Sequence, residues 1–463
     1  MKMTFRWYGE EDPVTLSAIR QIPGVTGIAS AIYHIPVGKA WPCEAIKELK
    51  EKVTAAGLVL EVIESLPVHE DIKLHRGKFQ EYIENYKENI RRLAAEGIRC
   101  ICYNFMPVFD WTRSRLDHPL ADGSRTLAYY KTDEKTMDPA KMILPGWNTS
   151  YFPEEIDGLI KAYQILGIEG LWGSLKYFIN EIMPVAIECD VNMCLQPDDP
   201  PWPVFDIPRI ITDEAAIDRF LALYNDTHHG LSLCTGSLGC AACNDIPRLV
   251  RKIGGMGRIH YAPMRNVKIL QDGSFEESAY PSFCGSLDME AVMKAYYDIG
   301  YTGYMSPAHG RMIWNEEGKP GYGLYDRALG AVYLIGIWET LKKECIPNSQ
   351  GTGHLPRKSD NYSFKKNSGW SASKPSAVNC NDLSCHICRC IYKLSHKGSN
   401  FFWGTYAVGR NFFNESIHFL FCKTPVHIGV NNPAGYSIYL YITGSQFLGQ
   451  SLVKLFTAPF DAE

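Results

Sequence analysis

Several side chains in the first 345 residues are of types, and at positions, that could do chemistry. His309 lies in the glycine-rich segment AHGR and Tyr322 lies in PGYGLYDR. An imidazole and a phenol can each donate or accept a proton when a loop holds them beside a substrate. Cys234, Cys240 and Cys243 include a C-x-x-C pair, and three thiols are a donor set suited to Zn²⁺. The alternatives are packing or capping residues for the first pair, and free cysteines in a loop for the thiols.

A second group could anchor an anionic, hydroxylated ligand. Asn104, Arg113 and Arg265 come at or just after the ends of predicted strands, and a carboxylate with a row of hydroxyls needs such cations and hydrogen-bond donors. Each could equally be a scaffold residue that satisfies loop carbonyls. Asp198 and Asp199 precede two prolines, and this DDPP turn is consistent with carboxylates that cap backbone amides.

The elements that must position these residues alternate between short β-branched or aromatic runs and longer segments of helical period. Segments of helical period include residues 73–96, 214–224, 289–299 and 326–342. The sequence predicts eight strands, at Thr4–Tyr8, Val25–Tyr33, Leu58–Glu64, Arg99–Asn104, Asn192–Gln196, Leu231–Thr235, Arg258–Pro263 and Gly303–Pro307.

Eight strand-then-helix units over about 345 residues predict an α/β protein, a (β/α)₈ TIM barrel, in which reactive groups lie at the carboxyl ends of the strands. A doubly wound open sheet is the rival, but no G-x-G-x-x-G turn follows the first strand. After the fourth strand comes a long insertion, Met106–Phe152, which contains four prolines and predicts a loop over the barrel mouth.

Composition excludes several classes of partner. The net charge of -4 provides no electrostatic basis for binding nucleic acid or an anionic membrane surface. No run approaches the roughly 18 apolar residues of a membrane span, and the N-terminus lacks the apolar core of a signal peptide. We therefore expect a cytoplasmic protein that binds a small molecule, whose fifteen cysteines are reduced thiols or ligands.

The composition changes near residue 346, which divides the chain into a predicted barrel domain, residues 1–345, and an atypical extension, residues 346–463. Residues 351–463 contain 11 Lys and Arg against 5 Asp and Glu, whereas the rest of the chain is net acidic. The extension begins as a Ser/Gly/Asn/Lys-rich segment typical of linkers or disorder and then becomes aromatic and apolar. Its Cys380, Cys385, Cys388 and Cys390 surround His386; zinc binding and an unstructured fused segment are the two interpretations.

Nine motifs in the barrel part are similar, in order, to those of the mannonate dehydratase family: MTFRWYG, ESLPVHEDIK, YNFMPVFDWTRS, PDDPPWPVF with PRIIT, LCTGSLG, RIHYA with RNVK, DGSFEESA, HGRMIW and KPGYGLYDRALG. The resemblance runs from about Met1 to Lys343 and leaves out the extension. It implies a TIM-barrel hydro-lyase that removes water from D-mannonate to yield 2-keto-3-deoxy-D-gluconate in hexuronate catabolism. It implies dependence on a divalent metal, Mn²⁺ or Fe²⁺, and roles near the substrate for His309 and Tyr322 as proton donor and acceptor.

The same resemblance implies four metal ligands at the ends of the fifth to eighth strands. Carried over residue by residue, their positions here are Gln196, Cys234, Pro263 and Ala308. Only the cysteine keeps a ligand type, because a neutral amide is a poor ligand for a transition metal and proline and alanine side chains cannot coordinate. His260 is three residues from the proline, which places it on the opposite face of a regular strand.

Two functional hypotheses follow, and a third stays open. The chain is either a mannonate dehydratase-like hydro-lyase or a catalytically inactive relative that binds a sugar acid or a partner through the preserved barrel. A metal-independent or zinc-dependent activity on a related acid is the third. Ser306, where the family usually has an arginine, adds one more change at the eighth strand. The sequence leaves open whether the protein is a homo-oligomer.

Overall fold

The structure, a computed structural model, describes residues 1–139 and 153–344, together with the backbone of five strands nearer the C-terminus. It divides into two compact units, Met1–Gly353 and His354–Glu463. Within the described residues, no helix combines the length and the apolar character that a membrane crossing requires.

The first unit is built on a closed barrel of eight parallel strands, in the order β1-β12-β9-β8-β7-β4-β3-β2. All eight predicted strands are present, and the predicted TIM barrel is confirmed. The strands of this unit are β1 (Lys2–Arg6), β2 (Val25–Ser30), β3 (Val59–Glu64), β4 (Cys100–Tyr103), β5 (Arg115–Pro119), β6 (Arg125–Tyr129), β7 (Asn192–Leu195), β8 (His229–Ser232), β9 (Ile259–Met264), β10 (Asn266–Ile269), β11 (Phe275–Ser278) and β12 (Tyr304–Pro307).

Helices cover the outside of the barrel. They are α1 (Leu16–Arg20), α2 (Cys43–Ala55), α3 (Glu70–Lys73), α4 (Phe79–Ala95), α5 (Pro153–Glu188), α6 (Glu214–Ala222), α7 (Thr235–Gly239), α8 (Ile246–Gly255), α9 (Met289–Asp298) and α10 (Tyr325–Glu344). In α8 the N-cap Asp245 accepts a hydrogen bond from the backbone of Arg248, and the helix buries Ile246, Leu249, Val250 and Ile253. This spacing of apolar residues places one face against the barrel.

The predicted helix over residues 73–96 corresponds to α4, which begins only at Phe79. Between α3 and α4, His75 and Gly77 have φ of 51° and 58°. These left-handed conformations break the run of α-helical hydrogen bonds, so the chain turns before the longer helix begins.

The insertion after β4 contains regular structure that the sequence analysis missed. Strands β5 and β6 pair with β10 and β11 in an antiparallel sheet of order β10-β11-β6-β5. Both hairpins turn on the same tripeptide, Asp-Gly-Ser, in which the aspartate accepts hydrogen bonds from the serine backbone and hydroxyl. The glycines, Gly123 and Gly273, have φ of 84° and 80°. An Asp-Gly pair between two alternating runs is a hairpin signal, and here it occurs twice.

In the second unit the structure has strands β13 (Phe402–Gly409), β14 (Phe412–Phe419), β15 (His427–Asn431), β16 (Tyr436–Tyr441) and β17 (Lys454–Pro459). The first two form an antiparallel pair and the other three form an antiparallel sheet. The predicted linker-like segment after residue 345 and the cysteine cluster at residues 380–390 lie outside the described residues.

Candidate functional site: a barrel-mouth cavity

A cavity opens at the carboxyl ends of the barrel strands. Its empty volume is about 630 Å³, counted with its opening to solvent. Parallel strands bring their carboxyl ends to one edge of the barrel, so residues far apart in sequence meet there. The lining residues are Arg6, Glu64, Met106, Asp110, Trp111, Gln196, Pro197, Asp199, Cys234, Ser237, Pro263, Arg265, Ser306, Ala308, His309 and Tyr322.

The four positions that the resemblance assigns to metal ligands all line this cavity. Gln196 follows β7, Cys234 follows β8, Pro263 lies in β9 and Ala308 follows β12. Their side chains, however, do not fit a Mn²⁺ or Fe²⁺ ion, since one thiol and one amide are the donors that they offer. Among the described residues, no group of three or more His, Cys, Asp and Glu side chains is placed to hold a metal ion.

Gln196 has a different role in this structure. Its Nε2 donates to Oε1 of Glu64 at 3.1 Å, and the same carboxylate accepts from Nη1 of Arg6 at 3.0 Å and from the hydroxyl of Tyr261 at 2.8 Å. Glu64 is buried at the end of β3, and these donors lie in β1 and β9 and just after β7, which are not adjacent to β3 in the barrel. This glutamate belongs to the motif ESLPVHEDIK and was not singled out from the sequence, although a carboxylate at a strand end is a signal for the site.

His309 and Tyr322 lie side by side in the cavity, as their predicted roles require. Nε2 of the imidazole is 2.9 Å from the Tyr322 hydroxyl, which also accepts from the indole N–H of Trp111 at 3.1 Å. On the other side of the ring, Nδ1 is 2.9 Å from both carboxylate oxygens of Glu277. Burial is the largest influence on the imidazole and lowers the pKa of His309, although Glu277 opposes it.

These contacts define the protonation of the imidazole. A carboxylate only accepts hydrogen bonds, so Nδ1 of the neutral ring carries the hydrogen and donates a hydrogen bond to Glu277. Nε2 therefore accepts a hydrogen bond from the hydroxyl of Tyr322. Nη1 of Arg265 is also 2.9 Å from Nδ1, but this nitrogen already donates to Glu277. Burial raises the pKa of Tyr322, which keeps its hydroxyl protonated at neutral pH. The result is a chain from the phenol through the imidazole to a buried carboxylate.

Arg113 and Arg265 lie in an ion-pair cluster with Asp199 and Glu277. Arg113 donates to Asp199 at 2.8 Å and to Glu277 at 2.7 Å, and Arg265 contacts the same two carboxylates. Burial alone would raise the pKa of Glu277, but Arg265, His309 and Arg113 together lower it to about 2. Arg265 lines the cavity, whereas Arg113 lies behind it with a side chain that is 0% exposed.

Asn104 also lies behind the cavity wall. It is buried and its Nδ2 donates to Oδ1 of Asp110 at 2.8 Å. Asp110 itself lines the cavity, and no pattern in the sequence singled it out. The predicted anchoring residues therefore divide into one that faces the cavity, Arg265, and two that support residues facing it.

The three thiols lie in different surroundings, and the DDPP turn has a role in the structure of a loop. Cys234 lines the cavity, Cys240 is buried with its thiol on the Ser237 carbonyl at 3.2 Å, and Cys243 is exposed. They therefore do not form a common binding group. Asp198 accepts from the backbone N–H groups of residues 210 and 211 at 2.8 and 2.7 Å, so it caps a loop.

Comparisons with known proteins agree with the fold of the first unit. The model of the D-mannonate dehydratase (UxuA) family matches residues 1–347. Mannonate dehydratase 2 of Halalkalibacterium halodurans is 53% identical over 343 residues, 74% of this chain and 99% of that protein. The mannonate dehydratase of Thermotoga neapolitana is 50% identical over 355 residues, covering 74% of this chain and 98% of that protein.

A solved structure supports the same assignment. The crystal structure of mannonate dehydratase from Streptococcus suis serotype 2 superposes with a TM-score of 0.70 at 47% identity, over 74% of this chain and 95% of that chain. The residues after 347 lie outside the family match. Because the family model covers nearly the whole barrel unit and close relatives align over almost their full lengths, this chain belongs to the D-mannonate dehydratase family, a family of metal-dependent hydro-lyases.

Proposed function

We propose that the barrel-mouth cavity binds D-mannonate or a closely related sugar acid, and that the native chain does not carry out the metal-dependent dehydration of its relatives. The observation that carries this proposal is that Gln196, Pro263 and Ala308 line the same cavity as the intact acid–base pair His309 and Tyr322. The substitutions lie at the positions of the metal ligands, while the surrounding site is retained.

Charge balance supports a cavity that is stable without a metal. In the ligand set that the resemblance implies, one aspartate carboxylate and one cysteine thiolate balance the two charges of a divalent ion. Here Ala308 lines the cavity in place of the aspartate, so that carboxylate charge is absent. An unpaired charge in a buried site is strongly destabilising, and alanine at position 308 removes that cost.

The acid–base groups of the cavity match the proton transfers that dehydration of a sugar acid requires. Dehydration of D-mannonate to 2-keto-3-deoxy-D-gluconate, a step in hexuronate catabolism, requires a base for the proton next to the carboxylate and an acid for the departing hydroxyl. Neutral His309 can take a proton at Nε2, and the carboxylate of Glu277 on Nδ1 stabilises the imidazolium that forms. Tyr322 can donate a proton from its hydroxyl.

The second candidate function is the dehydration itself, D-mannonate to 2-keto-3-deoxy-D-gluconate, in the native chain. The intact series of hydrogen bonds from Tyr322 through His309 to Glu277 favours this activity. This activity would need Mn²⁺, Fe²⁺ or Zn²⁺ held by side chains other than those at the four family positions, or a route without metal.

Metal content and turnover, measured on one sample, test the proposal. The native full-length chain is compared with a triple variant, Gln196→His, Pro263→His and Ala308→Asp. Each is analysed for bound metal by mass spectrometry, for D-mannonate binding by calorimetry, and for product formation with added Mn²⁺ or Fe²⁺. We expect the native chain to bind D-mannonate without metal and without turnover, and the triple variant to bind about one metal ion per chain and regain turnover.

Two results would decide against the proposal. Metal-dependent turnover by the native chain would establish the second candidate, and absence of D-mannonate binding would remove the sugar acid as ligand. A control variant, Cys234→Ala in the triple background, removes the one retained ligand type and should lower metal content again. A chain ending at Lys343 tests whether the extension contributes to any of these readouts.

A further inference from the structure

Asp110 lies in the loop that follows β4 and lines the cavity. Asn104 donates to its Oδ1 at 2.8 Å, which directs the carboxyl group. Its other oxygen, Oδ2, is buried and has no hydrogen-bond partner within the described part of the chain. Buried polar atoms in native proteins are nearly always paired, so an unpaired carboxyl oxygen in a cavity wall indicates a partner that arrives with the ligand.

The charged side chains around Asp110 already have partners of their own. The cations that act on its pKa are Lys73 and Arg6, and the acidic residue that acts on it is Glu70. Lys73 is paired with Glu70 at 2.8 Å and Arg6 with Glu64 at 3.0 Å. Farther away, Arg265 in the cavity wall and Arg113 behind it are paired with Asp199 and Glu277.

Because these cations are paired with other carboxylates, Asp110 has no cation of its own. A carboxylate without a dedicated cation is poorly solvated in a buried wall, and an anionic ligand beside it would add repulsion. Burial is the largest influence on this group and raises the pKa of Asp110, while Lys73, the hydrogen bond from Asn104 and Arg6 act against it. The neutral carboxylic acid is compatible with the contact from Asn104, because its carbonyl oxygen can still accept.

We propose that Asp110 contacts the bound sugar acid directly and does so as a neutral carboxylic acid, whose Oδ2–H donates a hydrogen bond to an oxygen of the ligand. This inference rests on the proposed function, since it assumes a sugar acid in the cavity. Asn104 is then a positioning residue, which acts on the ligand through Asp110.

Calorimetric titration with D-mannonate tests this role in the native full-length chain and two variants. Asp110→Asn keeps the shape and places an N–H donor toward the ligand, so we expect its affinity to stay within about threefold of the native value. Asp110→Ala removes the donor and should bind about 10- to 100-fold more weakly, as expected for a hydrogen bond to a charged group. Asp117→Ala, which removes an exposed carboxylate of the same insertion, is the matched control and should bind as the native chain does.

The dependence on pH provides an independent readout. In the native chain the affinity should be constant at low pH and fall as pH rises through the raised pKa of Asp110, whereas the Asp110→Asn variant should keep its affinity over that range. A merely structural role would change thermal unfolding of Asp110→Ala without producing this difference in pH profiles.

The outcomes separate this inference from the proposed function. If the native chain does not bind D-mannonate, the proposed function fails and the role of Asp110 fails with it. If the native chain binds and Asp110→Ala binds equally well, the sugar acid remains the ligand and the contact from Asp110 is refuted. If Asp110→Asn binds as weakly as Asp110→Ala, the ligand needs an acceptor, and the neutral donor is refuted.

Discussion

Replacing Glu277 by glutamine should destabilise the fold by an amount that the buried ion-pair cluster determines. Arg265, His309 and Arg113 act against burial and lower the pKa of Glu277 from 4.5 to about 2. A difference of this size corresponds to about 3 kcal/mol at neutral pH, at roughly 1.4 kcal/mol per pKa unit. Breaking a buried ion pair by removing one partner costs about 3–5 kcal/mol. We therefore expect Glu277→Gln to lower the free energy of unfolding by about 3 kcal/mol near pH 7.

Urea unfolding followed by tryptophan fluorescence, repeated between pH 7 and pH 3, measures this effect. The pKa is depressed in the folded state, so the stabilisation is present above pH 4.5 and is lost as pH falls toward about 2. The difference in the free energy of unfolding between the native chain and the Glu277→Gln variant should decrease over that pH interval. The control is Glu169→Gln, which removes an exposed carboxylate 2.6 Å from Arg219. Equal stability of the Glu277 and Glu169 variants at pH 7 would refute a stabilising role for the cluster.

Three further predictions concern the site and its surroundings. Tyr322→Phe in the triple variant with restored metal ligands should lower turnover about 100-fold or more with D-mannonate binding nearly unchanged, because the proton donor is lost; steady-state kinetics and calorimetry measure the two effects. Gly236→Ala should lower stability by about 1–3 kcal/mol, because the added methyl group would collide with the Arg265 side chain; Gly255→Ala, where nothing lies within 4 Å, is its control in thermal unfolding. His229 is buried, and burial lowers its pKa from 6.5 to about 4. Stability should therefore fall by up to about 3 kcal/mol as pH drops from 6.5 to 4, and His229→Gln should reduce that slope in pH-dependent urea unfolding.

The spacing of apolar residues along the chain predicted the barrel, because hydrophobic periodicity is a property of residues that are close in sequence. A strand that is buried on both faces appears as a short apolar run, and a covering helix repeats its apolar residues every three or four positions. All eight barrel strands were predicted within a few residues of their observed bounds. The hairpin of the insertion and the hairpin that follows β9 were missed, although Asp122-Gly123 and Asp272-Gly273 carry the local signal for them.

The candidate site was predicted unevenly. His309, Tyr322 and Arg265 lie in the cavity, and motifs near strand ends were sufficient to select them. Asp110 and Glu64 were not selected, because a single carboxylate in a loop or strand has no spacing that distinguishes it from a surface residue. Arg113 and Asn104 were expected to anchor the ligand, whereas the structure places them behind the cavity wall. Burial and hydrogen-bond partners are properties of the assembled barrel.

The sequence by itself determined the family and the order of the strands. It also placed Gln196, Pro263 and Ala308 at three positions to which the family resemblance assigns metal ligands, and residue identity alone decides whether a side chain can coordinate. Only the tertiary structure decided that these positions share one cavity with His309 and Tyr322. It also decided which charges are neutralised. Glu277 lies in the four-stranded sheet that two separate hairpins form, and its carboxylate pairs with Arg113 and Arg265. Electrostatic interaction depends on distance and burial, and for Arg113 and Glu277, which are 164 positions apart, both are determined by the assembled tertiary structure.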